Sequence, residues 1–398
     1  MQPLANPAKP DNHGPQAAPS RWIWVLSGTI TIAVIASVGS AAIVWAARTP
    51  DGRGPTTVLP TRTLTVTQPV SALTVQSYGA PIKVTAAPSG PVQIAETISY
   101  SRSRAPRVTD TVSHGLLTLA APACANADCS VSFSVTVPSG VKVTATASGG
   151  SVTVVGTGAA DIDSGGGPVD AASIDGPLSV NAEGSGVTVD NVAGVADLDS
   201  GGGPVSATGI TGKLTVHAEG GGVTVSRVPS ASIDSGGGPV NAASIDGPLS
   251  VNAEGSGVTV TGAGASQIDS GGGPVTADTI RGQLTVSAEG GGVEASNVTG
   301  TLYVDTGGGP LTGTGISAPS ATVRAEGAGV TLGFATAPTA VRVDTGGGNA
   351  SVSVPGGPYA VTADSGGSPQ SVLIPTDPGA ASSISVSTDG GSLQIGPA

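Results

Sequence analysis

The sequence predicts an all-β fold, a parallel β-helix (β-solenoid) with coils of about 17 to 18 residues. Two alternating motifs and an aromatic content of only 2% support this prediction. The pentapeptide Asp-(Ser/Thr)-Gly-Gly-Gly begins at Asp163, Asp199, Asp234, Asp269, Asp305 and Asp344. The motif Ala-Glu-Gly-x-Gly-Val falls between these copies and halves the repeat. Helical-hairpin repeats need roughly 33 residues or more, whereas a coil of short strands and turns fits this period.

Aligning the two motifs predicts that one residue of every coil stacks in a single column. The column consists of Thr146, Asp163, Asn181, Asp199, His217, Asp234, Asn252, Asp269, Ser287, Asp305, Arg324, Asp344, Asp364 and Ser387. Within one unit, residues 178–182 and 187–189 alternate between apolar and polar side chains, as half-buried strands do. The apolar positions recur in later units, so we expect them to stack into an aliphatic core.

Glycine and proline mark the predicted corners. The chain has 63 glycines, and we expect the middle glycines of four triplets to turn the chain at positive φ. These are Gly166, Gly202, Gly237 and Gly272. A proline follows several triplets, as at Pro168, and should be the first residue of the next strand because proline cannot donate a ladder hydrogen bond.

The amino-terminal region has a different character. Residues 1–20 contain five prolines and predict a disordered cytoplasmic tail. Residues 21–48 predict a transmembrane helix, because residues 22–47 carry no charge and tryptophans stand near both ends. A cleaved secretory signal and a buried core helix are the alternatives.

The two cysteines indicate which side of the membrane the repeats occupy. Arginine and lysine counts on the two sides of the apolar segment do not decide the orientation. Cys124 and Cys129 lie five residues apart between strand-like runs, which favours a disulfide-closed loop in an oxidising compartment. Free thiols and a metal site are the alternatives. We therefore expect a single-pass protein of the cell membrane, with a cytoplasmic amino terminus and an extracellular repeat domain.

Three further segments complete the predicted organisation. Residues 49–60 form a Pro/Gly linker, and residues 61–145 form a β-rich amino-terminal module without the repeat. The solenoid spans residues 146–398. A parallel solenoid leaves an unpaired strand at each end, so we expect the module to cap the first coil.

The segment after the cysteines resembles a known family. The run 131–140 (Val-Ser-Phe-Ser-Val-Thr-Val-Pro-Ser-Gly), the run 141–145 (Val-Lys-Val-Thr-Ala) and Ser-Gly-Gly at 148–150 are similar to the DUF4097 family of adhesin-like, β-strand-repeat envelope proteins. The resemblance covers residues 61–398. It implies a three-sided, right-handed parallel β-helix behind one membrane helix in bacterial envelope proteins, with no enzymatic motif to carry over. The regular Asp-Ser-Gly-Gly-Gly triplets depart from the family pattern.

The charge distribution disfavours nucleic-acid binding by the repeats. Residues 161–398 carry 22 acidic and 5 basic side chains, a net charge of −17, whereas residues 1–160 carry 5 and 10, a net charge of +5. The repeats thus lack the basic stripe needed to neutralise phosphates.

Three roles are open for the repeated aspartates. Each Asp could accept a hydrogen bond from the following glycine backbone and so stabilise the corner. The alternatives are divalent-cation binding, which would make Asp163, Asp199, Asp234, Asp269, Asp305 and Asp344 metal ligands, and acid/base catalysis. Calcium-binding rolls place Asp after their glycines, and here Asp precedes them. Asp also occupies only every second coil up to Asp305, which reduces like-charge repulsion.

These observations predict a non-enzymatic envelope protein without a cofactor. We expect an adhesion, binding or structural role toward cell wall, glycan or a protein partner. A sensory or regulatory subunit of an envelope-stress system is the main alternative. A calcium-stabilised or glycan-active surface protein is a further one.

Overall fold

A computed structural model describes residues 56–101, 105–121 and 129–398 of the chain. These residues form β-strands, turns and bends, which confirms the all-β prediction, and they belong to one compact unit. The predicted tail (1–20), the predicted membrane helix (21–48) and part of the predicted linker lie outside the described residues. Among the residues that are described, no helix is long and apolar enough to cross a membrane.

Thirty-six strands make up this part of the chain. They are β1 Thr56–Val58, β2 Arg62–Val66, β3 Ala72–Ser77, β4 Ile82–Ala87, β5 Val92–Ser101, β6 Thr109–Ser113, β7 Leu116–Ala120, β8 Cys129–Pro138, β9 Lys142–Ala147, β10 Val152–Val155, β11 Ala159–Ser164, β12 Val169–Ile174, β13 Leu178–Ala182, β14 Val187–Val192, β15 Ala196–Ser200, β16 Val205–Ile210, β17 Lys213–Ala218, β18 Val223–Val228, β19 Ser230–Ser235, β20 Val240–Ile245, β21 Leu249–Ala253, β22 Val258–Ala263, β23 Ser266–Ser270, β24 Val275–Ile280, β25 Leu284–Ala288, β26 Val293–Ser296, β27 Leu302–Thr306, β28 Leu311–Ile316, β29 Ser320–Ala325, β30 Val330–Phe334, β31 Ala340–Thr345, β32 Ala350–Val354, β33 Ala360–Asp364, β34 Gln370–Val372, β35 Ser383–Thr388 and β36 Leu393–Pro397.

Two parallel sheets run along the solenoid. From β9 onward the odd-numbered strands belong to sheet B and the even-numbered strands to sheet A, so each coil contributes one strand to each sheet. Twelve such coils follow one another from β9–β10 to β31–β32. The pairing is in register: Asp163 stands beside Asn181, and Asn181 beside Asp199. The coil length and the predicted column are confirmed over this region.

The core consists of stacked aliphatic columns. In β13 the side chains of Leu178, Val180 and Ala182 are 0 to 2% exposed, whereas those between them face solvent. Small and large residues alternate at the first inward position of sheet B, where Ala160, Leu178, Ala196 and Leu214 are neighbours in the stack. A large residue therefore packs between two small ones, which lets a narrow tube fill most of its interior with aliphatic side chains.

The third side implied by the family resemblance is present only as a short link. Near the end of most sheet A strands, the second-to-last residue lies in the left-handed region and turns the chain. The last residue, such as Ile174 or Val192, pairs with the next coil, and a link then leads back to sheet B. The left-handed position is occupied by Gly156, Ser173, Asn191, Gly209, Arg227, Ser244, Gly262, Thr279, Asn297 and Gly315. Sequence patterning missed this corner because only four of the ten residues are glycine.

The four glycines predicted to turn the corners lie in bends, but the prediction of positive φ was wrong. Gly166, Gly202, Gly237 and Gly272 have no φ between +20° and +160°. The third glycine of each triplet is the constrained one. A Cβ on Gly238 would lie 2.3 Å from backbone atoms of Gly221, whereas a Cβ on Gly237 would lie 3.5 Å from its nearest neighbour. Close approach between coils, and not backbone φ, requires glycine here.

The amino-terminal strands are continuous with the solenoid. β3 and β4 form a coil that stacks directly on β9 and β10, and the predicted boundary at residue 145 falls within β9. The chain between β4 and β9 adds β8, parallel to β4, and β5, antiparallel to β8, to sheet A. The preceding strands β1 and β2 pair antiparallel with β5. At the same end of the stack, β7 pairs parallel with β3 and β6 pairs antiparallel with β7, so both strands extend sheet B. We call β1, β2 and β5–β8 the amino-terminal end strands.

An ion-pair group joins these end strands across the two sheets. The Glu96 side chain is only 3% exposed and lies on the inward side of β5 with Val92 and Ile94. Arg62 Nη1 lies 3.9 Å from Glu96 Oε2, and Arg62 Nη2 lies 3.2 Å from Asp110 Oδ2 in β6. Burial raises the pKa of Glu96 above its ordinary value, although the Arg62 charge acts in the opposite direction.

At the carboxyl-terminal end the chain does not stack its coils in sequence order. β35 lies between β31 and β33 in sheet B, and β36 lies between β32 and β34 in sheet A. Ser387 therefore stands between Asp344 and Asp364, whereas the predicted column placed it last. The last coil is inserted, and β33 and β34 form the end of the stack.

Cys129 begins β8 and stands opposite Tyr100 in the antiparallel ladder. Cys124 lies outside the described residues. The disulfide between them stays a prediction.

Two adjacent glycines provide a matched test of coil packing. We expect Gly238→Ala to destabilise the protein by about 3 kcal/mol or more, because the new methyl group meets backbone that cannot move aside. We expect Gly237→Ala to change stability by less than about 0.5 kcal/mol, because its methyl group makes ordinary contacts. Chemical denaturation of both variants measures the difference. Equal losses would mean that close coil contact does not select glycine.

The Glu96 environment predicts a pH dependence of stability. Because the folded-state pKa is raised, the protonated carboxyl favours folding at low pH, and this contribution is lost as the pH rises through the folded pKa. The unfolding temperature of the wild type relative to Glu96→Gln should therefore fall as the pH rises above about 4, the ordinary pKa of glutamate in the unfolded chain. The exposed Glu294→Gln serves as the control. A constant difference between wild type and Glu96→Gln would contradict the assignment.

Candidate ligand-binding face of sheet B

The outward side chains of sheet B form two parallel columns, which we call the sheet B face. The second column is the predicted one, and it contains the six aspartates of the triplets. The first column carries hydroxyl and amide side chains over the middle coils, at Thr215, Ser232, Ser250, Gln267 and Thr285. The face is therefore acidic along one column and mainly neutral and polar along the other.

The aspartates are separated by residues that can hydrogen-bond to them. Asp234 Oδ1 accepts a hydrogen bond of 3.1 Å from Asn252 Nδ2, and Asp234 Oδ2 lies 3.3 Å from His217 Nδ1. Both side chains of the His217–Asp234 pair are about half exposed. Since neighbouring strands are about 4.8 Å apart, aspartates on alternate coils are about 9 to 10 Å apart. Because an Asn or His stands between two aspartates, each carboxylate has a polar partner on the adjacent coil and not a second carboxylate.

The expectation that these aspartates accept hydrogen bonds from the following glycines was wrong. In the described residues none of the six makes that bond, and the next residue, Ser or Thr, stabilises the corner instead. Its buried hydroxyl donates to the carbonyl oxygen three residues later. The bonds are Ser164 to Gly167 at 2.7 Å, Ser200 to Gly203 at 2.8 Å, Ser235 to Gly238 at 2.9 Å, Ser270 to Gly273 at 2.9 Å and Thr345 to Gly348 at 2.7 Å.

Two residues show the limits of this corner device. Asp364, in the end coil, does accept a 3.1 Å hydrogen bond from the Gly366 backbone. Thr306 occupies the hydroxyl position of its triplet, but its Oγ1 is buried without a hydrogen-bond partner. The sequence signal for the hydroxyl was its strict Ser/Thr identity after each Asp, at positions where the weaker motif has Ala, as at Ala182 and Ala218.

The carboxylates of the described chain do not converge on a common point. No group of three or more His, Cys, Asp or Glu side chains is arranged to hold a metal ion within the described ranges. Among these carboxylates, Asp278 on sheet A is the most strongly hydrogen-bonded: it accepts from Ser296 Oγ at 2.5 Å, Asn297 Nδ2 at 2.9 Å and Thr279 Oγ1 at 3.0 Å. These bonds lower the pKa of Asp278. They join the left-handed corners of two consecutive coils.

A groove of about 560 Å³ opens at the edge of the sheet B face. It crosses five consecutive coils, a distance of about 19 Å at the usual strand spacing. Its lining combines the ends of the links with the first residues of the strands: Lys213, Ser230, Ala231, Ser232, Pro248, Leu249, Ser250, Ala265, Ser266, Gln267, Gln283 and Thr285. We call it the link groove.

Differences in coil length account for the link groove. A link comprises the residues between the last residue of a sheet A strand and the first inward residue of the next sheet B strand. In the groove, the links at residues 229–230 and 264–265 contain two residues, whereas those at 211–213, 246–248 and 281–283 contain three. The short links lie between longer ones and so leave an indentation. The sequence signal is the 17-residue step at these coils, from His217 to Asp234 and from Asn252 to Asp269, which by itself predicts no groove.

The polar groups of the link groove are hydroxyls, amides and one ammonium group. Gln283 Nε2 donates to Thr285 Oγ1 at 3.1 Å, and the exposed Gln267 and Ser250 stand on the intervening strands. Lys213 is the cation in the lining. Tyr303 stands next to Thr285 in register and extends the column by an aromatic ring. These groups can donate and accept several neutral hydrogen bonds to a long ligand.

No family model matches the sequence, and neither a curated protein nor a solved structure shows a significant match.

The corner hydroxyls provide a matched stability test. We expect Ser235→Ala to cost about 1 to 3 kcal/mol, because it removes a buried hydrogen bond and leaves the Gly238 carbonyl unpaired. Thr306→Val removes a buried hydroxyl that has no partner, and should stabilise the protein by up to about 1 kcal/mol. Denaturation midpoints of the two variants measure these effects. A stabilising Ser235→Ala would show that the hydroxyl does not hold the corner.

Proposed function

We propose that this protein is a non-enzymatic, surface-exposed binding protein whose solenoid holds an extended polysaccharide in the link groove. The observation that carries the proposal is the groove itself, which is open and crosses five coils, and in which seven of the twelve lining residues carry a hydroxyl or amide side chain beside aliphatic surface. A linear glycan offers repeated hydroxyl groups, and the coils offer polar side chains at each strand spacing of about 4.8 Å. The hydroxyl groups of the glycan and the polar side chains of the groove would then both recur along the axis of the solenoid.

The charge of the face favours a neutral or weakly anionic glycan. The net charge of −17 on residues 161–398 opposes a strongly acidic polymer, and nucleic acid in particular. Lys213 provides one local positive group for an occasional carboxylate of the ligand. The aspartates of the adjacent column stand on alternate coils and are mainly exposed, as in a solvated acidic face.

The cellular setting of the proposal comes from the sequence. Residues 21–48 would anchor the chain in the membrane as a single span, with the amino terminus in the cytoplasm and the repeats outside. The uncharged run with tryptophans at its ends and the two cysteines support this setting. Membership of the DUF4097 family of envelope proteins is part of the same proposal, and the β-solenoid fold is compatible with it.

Blocking the link groove tests the proposed function. We expect full-length protein in detergent to co-sediment with purified cell-wall glycan, and Ser250→Trp, which places an indole in the groove, to reduce binding about tenfold or more. Gln267→Ala should weaken binding about five- to tenfold through a lost hydrogen bond. Thr259→Trp and Asn241→Ala, on the outward side of sheet A, are the matched controls.

The controls should bind like the wild type. Equal binding by Ser250→Trp and wild type would exclude the link groove as the binding site. A wild type that does not sediment with the glycan would exclude the polysaccharide ligand.

A further inference from the structure

The carboxyl-terminal end of the solenoid presents an unpaired strand edge. β33 pairs only with β35, and β34 only with β36, within the described chain. The Ala360 backbone N–H donates to Ser382 O at 2.8 Å, so Ala360 faces the inserted coil.

Because backbone groups alternate along a strand, Tyr359, Val361 and Ala363 direct their N–H and C=O groups to the side away from β35. Tyr359 is paired there with the chain's own segment, since its N–H donates to Pro375 O at 3.1 Å and its carbonyl accepts from Asp377 N at 3.0 Å. The open stretch therefore consists of Val361 and Ala363.

The apolar interior is also incompletely covered at this end. Val361 and Ala363 stand in register with the fully buried Ile384 and Val386, yet both are only half-buried because no further coil lies over them. A groove of about 490 Å³ lies here, lined by Ala360, Val361, Thr362, Ala363, Gln370, Val372, Thr376 and Pro378. It combines free backbone groups with apolar side chains, as the site of one more strand would.

The two ends of the stack differ in how they are protected. At the amino-terminal end, Arg62 links Glu96 and Asp110 across the final strands, and charged groups of this kind discourage edge pairing. At the carboxyl-terminal end the open edge of β33 carries Val361 and Ala363, both apolar. The exposed Leu373, which is 63% accessible, follows β34 directly.

The charge at this end identifies the kind of strand that fits. Residues 343–398 contain four aspartates and no lysine or arginine. Asp364, Asp377 and Asp389 are exposed at or near the end coil. A second copy docked through the same end would bring like charges together, whereas a cationic strand would meet complementary ones.

We propose that the open edge of β33 takes up an extended cationic polypeptide segment by β-strand addition. Backbone hydrogen bonds to Val361 and Ala363 supply the pairing, and alternate apolar side chains of the segment cover Val361 and Val372. Lysine or arginine side chains on the other face of the segment lie near the acidic rim. This site is separate from the link groove and does not depend on glycan binding.

A pair of synthetic peptides tests the proposal on the full-length protein. The probe is a fluorescent peptide of alternating lysine and valine, and its control alternates glutamate and valine. We expect saturable binding of the lysine peptide by fluorescence anisotropy, weakened by salt, and no binding of the glutamate peptide. Equal binding of both peptides would overturn the proposal in favour of a purely apolar contact.

Two variants separate the backbone and charge contributions. Val361→Pro removes an N–H that has no partner in the chain, so the fold should persist while the lysine peptide binds about five- to tenfold more weakly. Asp364→Asn with Asp377→Asn leaves the backbone intact and should weaken binding and reduce its salt dependence. Unchanged binding by Val361→Pro, or by the charge variant if Val361→Pro fails to fold, would overturn the proposal.

The oligomeric state shows whether a second copy of this chain, and not a different polypeptide, occupies the open edge. If wild type forms a dimer in solution and Val361→Pro is monomeric, the edge serves a second copy of this chain and the proposal is wrong. A wild type and variant of the same size by light scattering supports a heterologous strand.

Discussion

In-register parallel stacking is the constraint on which the rest of this structure depends. Each coil lies about 4.8 Å from the next, so every side chain has the equivalent residues of the two adjacent coils as its nearest neighbours. A residue type is therefore acceptable only if it tolerates its counterparts above and below. Aliphatic columns satisfy this condition inside, as Val180 does between Ile162 and Leu198. Outside, carboxylates satisfy it by alternating with Asn, His or Ser.

The same constraint accounts for the glycine triplets at the corners. The third glycine lies so close to the previous coil that a Cβ on Gly203 would meet the Ser185 and Gly186 backbone at 2.1 Å. Ser185 and Ser256 do carry a side chain at this position, but the coils on either side of each have glycine there. Each serine hydroxyl donates to a carbonyl of the previous coil, at 2.7 Å for Ser185 and 2.5 Å for Ser256. A side chain is accepted where both neighbouring coils leave room, and at Ser185 and Ser256 the hydroxyl also bonds to the previous coil.

The repeat made most of the fold predictable, because one motif in register determines many strands at once. The coil length, the inward columns and the position of Asp163 and its equivalents followed from spacing alone. The hydrogen bonding at the corners was not predictable. The Asp and the following Ser or Thr are adjacent in the motif, and the sequence does not show which of the two side chains bonds to the corner backbone. The link groove depends on the loss of one residue in two links, and its shape arises only when those links are stacked.

The two ends of the stack were unpredictable for a different reason, since periodicity carries no information about how a stack stops. At one end the chain leaves the repeat and adds antiparallel strands, with the Glu96 side chain buried among them beside the half-exposed Arg62. At the other end it keeps the repeat but changes the order, so that the final strands β35 and β36 each lie between two others.

That insertion has a structural consequence. β35 and β36 each pair with a strand on both sides. The exposed edges therefore belong to β33 and β34, and the chain continues on both sides of these two strands. The coil that bears the open edge therefore cannot fray from a free terminus. A stable, unpaired edge is what strand addition from another polypeptide requires, since a fraying terminus would spend part of its time detached from the sheet.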